Sequence, residues 1–100
     1  MVTYQQQIDL FYYMKGKGKK SAQEPELVSE ETLKKLGERI KQLRIKKGYT
    51  SYEYFAYDHN ISRAQFGRYE RGQDLRMSSL IKIVNAFEMS LKEFFSEGFD

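Results

Sequence analysis

The sequence predicts an all-α domain, and three observations carry that prediction. From about residue 31 onward, apolar side chains recur at three- and four-residue spacing rather than at every second position. The segments so defined begin at serines and end at glycine or asparagine, the residues that cap and terminate helices. No strand-like alternation competes in residues 31–100. Together these predict five short helices around one core, behind an N-terminal extension.

In the first helix, Leu33, Leu36, Ile40 and Leu43 form an apolar stripe, with Lys34, Lys35, Glu38, Arg39, Lys41 and Gln42 between them. Ser29 or Thr32 can cap its start, and Gly48 can stop it after the basic last turn of Arg44, Lys46 and Lys47. "SYEYFAYDHN" then opens with Ser51 as a cap and closes with Asn60, which tolerates the left-handed conformation of a tight turn. The helix between them has room for roughly two turns. In "ISRAQFGRYERG", Phe66 and Tyr69 face inward while Arg63, Gln65 and Arg68 point elsewhere. Leu80, Ile83, Val84 and Phe87 mark a fourth helix, and Ser90 caps a fifth with Leu91, Phe94 and Phe95 as its apolar face. Tyr49, Tyr52, Tyr54 and Tyr57 read as core and rim packing.

Residues 1–30 differ in character. "VTYQQQIDLFYYM" turns apolar and aromatic toward its end without a clear period, and "KGKGKKSAQEPELVSE" reads as a basic, irregular linker. The division is therefore an extension over 1–30 and a helical domain over 31–100.

Composition excludes several functions. The 100 residues contain no cysteine, which removes disulfides and thiolate chemistry and suits a reducing cytosol. His59 is the one histidine and has no cluster of partners with which to hold zinc. Asp58 and His59 stand side by side, but no nucleophile or oxyanion donor accompanies them, so no catalysis is expected. No apolar run approaches the ~20 residues that span a bilayer, and no cleavable signal opens the chain, which points to a cytoplasmic protein. The net charge of +3 is unevenly spread: residues 34–71 carry ten Lys or Arg against four Asp or Glu. A basic middle of this kind suits a polyanion.

The quoted segments also carry a resemblance. "LGERIKQLRIKKG", "SYEYFAYDHNISRAQFGRYERG" and "SSLIKIVNAFEMSLKEFF" resemble the first helix, the helix-turn-helix and the closing pair of the phage-repressor and Cro-like, or xenobiotic-response-element, family of bacterial regulators. The likeness spans residues 36–95 and implies a five-helix repressor-like bundle. It also implies that the helix from about Arg63 to Arg71 lies in the major groove of DNA. By position, Arg63, Ala64 and Arg68, with Gln65 nearby, would contact bases. Arginine suits guanine, glutamine adenine, and alanine the thymine methyl.

Phosphate contacts would come from the helix starts at Ser51–Tyr52 and Ser62–Arg63, and from Arg71 and Arg76 in the loop that follows. Glu70 would pair with Arg44, as the equivalent residues do in the family. The sequence departs from the family in three places. Tyr52 replaces a phosphate-binding glutamine, one extra residue precedes it, and Leu75 replaces a common proline. Gly67 is costly inside a helix, by ~1 kcal/mol against alanine, and would let that helix approach a neighbouring helix or DNA closely.

Lys15, Lys17, Lys19 and Lys20 resemble in composition the basic arms with which such repressors embrace an operator; a solvated linker is the alternative. Phe94, Phe95 and Phe99 cannot all be covered by one short helix, so one of them is a candidate homodimer contact, with the N-terminal "FYYM" a competing cover. The reading that results is a dimeric transcriptional regulator that binds specific double-stranded DNA, without enzyme activity and without metal or small-molecule cofactor. The alternative is an antitoxin-like or other protein-interaction module on the same fold, binding a protein partner through Tyr4–Met14.

Overall fold

The computed structural model describes residues 24–100, with side chains from Ser29 onward. Five helices follow one another: α1 (Glu24–Lys46), α2 (Tyr52–Asp58), α3 (Arg63–Glu70), α4 (Met77–Ala86) and α5 (Leu91–Phe94). Among the described residues there is no strand, and no helix is long and apolar enough to cross a membrane.

The first helix differs from expectation. It spans 23 residues and takes in 24–30, which read as linker in the sequence. Pro25 sits in its first turn, where a missing N–H breaks no intrahelical bond, so the proline opens the helix instead of interrupting it. Ser29 and Thr32 consequently lie inside α1, and neither caps it.

The other boundaries follow local chemistry. Ser51 Oγ accepts from the amides of Glu53 and Tyr54 at 3.1 and 3.4 Å, and Ser62 Oγ accepts from that of Gln65 at 3.4 Å. At α5 the Ser90 hydroxyl takes the Glu93 amide while the Glu93 carboxylate takes the Ser90 amide, a reciprocal capping box. Asn60 adopts φ 56° in the turn between α2 and α3, and Lys82 of α4 donates to its carbonyl at 2.6 Å. That bond ties the turn to α4.

The core draws Leu36, Ile40 and Leu43 from α1, Phe55 and Ala56 from α2, Phe66 from α3, Leu80, Ile83 and Val84 from α4, then Phe87 and Phe94. Phe55 is its centre. Its ring lies 5.0 Å from Phe66 and 4.9 Å from Phe87, and Tyr49 meets it edge-on at 5.2 Å. Each such phenylalanine contributes about 1.5–3 kcal/mol by leaving water, so α2, α3 and the end of α4 are held by one aromatic cluster.

Packing differs from the sequence expectation at α5 and α2. In α5 only Phe94 is buried, while Leu91 and Phe95 stay 38% and 44% exposed. A helix of one turn presents a single side chain to the core, and its end is occupied by Arg39, which donates to the carbonyls of Phe94 (2.7 Å) and Glu93 (3.0 Å). In α2, Tyr54 and Tyr57 are 71% and 76% exposed, so they are not rim packing; Tyr49 and Tyr52 do pack on the core. With Phe55 and Ala56 facing inward, a two-turn helix leaves Tyr54 and Tyr57 on the opposite side.

α1 crosses α3 closely at Gly37. A Cβ there would stand 2.5 Å from the Tyr69 carbonyl oxygen and 2.7 Å from that of Glu70. Only glycine fits, because both obstacles are backbone.

Candidate nucleic-acid interface

α3 is fixed on one side and open on the other. Phe66 anchors it in the core, and Gly67 is buried beneath α2. Its C-terminal end is tied to α1 by the Arg44–Glu70 pair. Arg44 Nε donates to Glu70 Oε2 at 2.7 Å and Nη2 to Oε1 at 3.1 Å, while Nη1 donates to the Tyr49 carbonyl at 2.7 Å. Both side chains are under a tenth exposed. The carboxylate is thus turned away from the open face and neutralised.

On that open face Arg63, Ala64, Gln65 and Arg68 are all exposed. Ala64 and Arg68 lie one turn apart on the same side of the helix. A shallow groove flanks each edge of α3. One, of about 330 Å³, runs between the exposed tyrosines of α2 and Arg63. The other, of about 480 Å³, lies between Gln65 and Arg68 and the loop through Asp74 to Arg76 and Ser79. The sequence-predicted base-contacting residues are all exposed on α3, Arg63 at the first groove and Gln65 and Arg68 at the second, with Arg71 and Arg76 exposed at the C-terminal end.

The arginines divide into two groups. Of the six in the chain, Arg39 and Arg44 are committed to carbonyls and carboxylates. Arg63, Arg68, Arg71 and Arg76 have neither an ion pair nor a side-chain hydrogen bond among the described residues. Four free guanidiniums around one helix form an acceptor-seeking surface, since arginine has donors only.

The expected phosphate positions are less uniform. The hydroxyls of Ser51 and Ser62 already accept from amides of their own helices, which occupies part of the anion-binding capacity expected there. Tyr52 lays its ring on Gly67, so the glycine serves a neighbouring helix as one of the two expectations had it. α4 instead has the uncapped start. Its N-cap is Arg76, which makes no side-chain cap bond, while Asp74 turns back to the amide of Leu75 at 2.8 Å. Sequence reasoning overlooked this helix start. The signal was the missing Ser, Thr, Asp or Asn immediately before Met77.

Asp58 and His59 have separate partners. The Asp58 carboxylate accepts from the Tyr49 hydroxyl at 2.7 Å, and His59 Nδ1 lies 2.8 Å from the Phe55 carbonyl. His59 completes the helix end and stacks near Phe55, at 4.2 Å between ring centres. Among the described residues no group of three or more His, Cys, Asp or Glu is arranged to hold a metal ion. The basic-arm lysines Lys15, Lys17, Lys19 and Lys20, and the segment Tyr4–Met14, lie outside the described residues.

No protein-family model, curated protein or solved structure matches the chain.

Proposed function

We propose that the protein is a transcriptional regulator of the repressor-like helix-turn-helix type that binds specific double-stranded DNA with α3. The observation that carries this reading is the set of unpartnered arginines on the open side of a helix whose other side is locked into the core. Arg63, Gln65 and Arg68 supply the donors that read purine edges in the major groove, and Ala64 supplies the small apolar contact for a thymine methyl. Arg71, Arg76 and the open start of α4 meet the backbone and set the register, with Ser51, Tyr52 and Ser62 at the opposite border. The Asn60 turn and the Ser62 cap fix how α3 leaves α2.

A second copy fits the reading as well. Leu91 and Phe95 are exposed, and the Phe95 ring lies against Phe99. Pairing through this end would give two recognition helices, which must meet DNA about 34 Å apart to read successive turns. A protein-interaction module is the competing reading.

The test is selection from a randomised duplex library, followed by binding of the winning duplex to wild type, Arg63→Ala and Arg68→Ala across a salt series. Enrichment of a two-fold symmetric site, with selectivity relaxed by about 1–3 kcal/mol at the base each arginine reads, is the expected result. Retention without enrichment, unchanged by either substitution, would reduce the surface to a nonspecific phosphate attractor. No retention at low salt would overturn DNA binding.

A further inference from the structure

Gly67 is a glycine for reasons of space. It lies inside α3, it is buried, and it is not among the glycines with positive φ, so its backbone conformation is open to any residue. A Cβ at this position would stand 2.9 Å from Tyr52 Cε2, 3.1 Å from Tyr52 Cζ and 3.3 Å from Arg71 Nη1. The hydroxyl-bearing end of the Tyr52 ring and the Arg71 guanidinium therefore converge on the one place where α3 has no side chain.

Neither group has a hydrogen-bond partner among the described residues, and the Tyr52 hydroxyl is not sealed from solvent. Glu70, the carboxylate next to Arg71 in the chain, is already bonded to Arg44. Glu53, beside Tyr52, is exposed. What remains is a neutral donor and a cationic donor side by side, with no acceptor of their own. Their common complement is an anionic oxygen.

We infer that Tyr52, Gly67 and Arg71 form one unit that holds a single phosphate of the DNA backbone. In it Gly67 is a positioning residue, whose missing side chain seats the Tyr52 ring so that hydroxyl and guanidinium reach the same phosphate. The inference rests on the DNA-binding reading above. It goes further by making a buried glycine, which touches no DNA, a determinant of affinity.

The experiment uses the selected duplex, unrelated duplexes and a salt series with five variants. Tyr52→Phe keeps the ring and is expected to weaken binding about tenfold on every duplex, with the salt slope unchanged because no charge is lost. Arg71→Ala is expected to lower the slope by about 1. The double variant should lose less than the product of the two, because both donors serve one phosphate. Gly67→Ala should reproduce the Tyr52 loss, and Gly67→Ala with Tyr52→Gln should recover affinity, since glutamine bends around the added methyl and still offers a donor. Inorganic phosphate at matched ionic strength should leave duplex binding unchanged; displacement by it would assign the two donors to a free anion.

Wild-type affinity in Tyr52→Phe, or losses that multiply in the double variant, would overturn the unit. So would a folded Gly67→Ala protein that binds as wild type. Should Gly67→Ala fail to fold, the Tyr52→Phe and Arg71→Ala cycle decides alone. A wild-type protein that enriches no duplex would sink the DNA-binding reading and this unit together, whereas enrichment with a silent Tyr52→Phe sinks the unit only.

Discussion

Replacing Arg44 by methionine tests what fixes α3 in place. Arg44 is 5% exposed and makes three hydrogen bonds, two to Glu70 and one to the Tyr49 carbonyl. Methionine fills most of the volume but leaves the Glu70 carboxylate, itself 8% exposed, without its counter-charge. Stranding one partner of a buried pair costs about 3–5 kcal/mol. A domain of this size is stable by roughly 5–15 kcal/mol in all, so the single variant should sit near the edge of folding. At about 4–8 °C per kcal/mol for a small domain, the midpoint should fall by roughly 12–40 °C. Thermal unfolding followed by circular dichroism measures it. Arg44→Met combined with Glu70→Leu should recover most of the loss, because an apolar pair of similar volume removes the stranded charge. A single variant within a few degrees of wild type would refute this account, as would a double variant no better than the single.

Two further outcomes are expected. Gly37→Ala gains helix propensity of ~1 kcal/mol, yet its Cβ would lie 2.5 and 2.7 Å from backbone oxygens of α3; the net effect should be destabilisation by about 1–3 kcal/mol, read by urea unfolding, and a neutral or stabilised variant would mean that α1 and α3 separate without cost. At Tyr49, the hydrogen bond to Asp58, with burial and the Asp58 charge adding to it, holds the phenol above the ordinary tyrosine pKa. A pKa raised on folding means that the stabilisation is complete below the unfolded value of about 10 and is lost as pH rises through the folded value. Asp58→Asn should therefore let one of the eight tyrosines ionise at lower pH in an ultraviolet titration, and a superimposable curve would show that the bond does not act on Tyr49 in solution.

The legible part of the fold is the part written in neighbouring residues. Ser51 and Ser90 cap their helices, Asn60 takes the left-handed turn, and Leu80, Ile83, Val84 and Phe87 are buried together. Each depends on a few adjacent positions. The start of α1 was misread because Pro25 punctuates a chain in either sense, and only its place in the first turn shows which. The faces of α2 and α5 were misread because one or two turns contain too few side chains to define a stripe; Tyr54, Tyr57, Leu91 and Phe95 are exposed for that reason. On the candidate surface, the exposure of Arg63, Ala64, Gln65 and Arg68 was legible from their spacing around Phe66. The capped state of Ser51 and Ser62 and the open start of α4 emerged with the hydrogen bonds.

By itself the sequence determined that five helices form, where most of them end, and which stripe of α1, α3 and α4 enters the core, because helix periodicity and capping act over three or four residues. Tertiary structure alone decided which side chains from distant segments meet. Gly37 passes the carbonyls of Tyr69 and Glu70, Tyr52 lies over Gly67 beside Arg71, and Arg44 spans from Glu70 to the Tyr49 carbonyl. Residue types do not reveal these meetings, since whether an arginine is paired or a glycine is required depends on what another helix brings within a few ångströms. That is why six arginines of one chemistry divide in two: Arg39 and Arg44 hold the fold, and the four around α3 have no partner among the described residues.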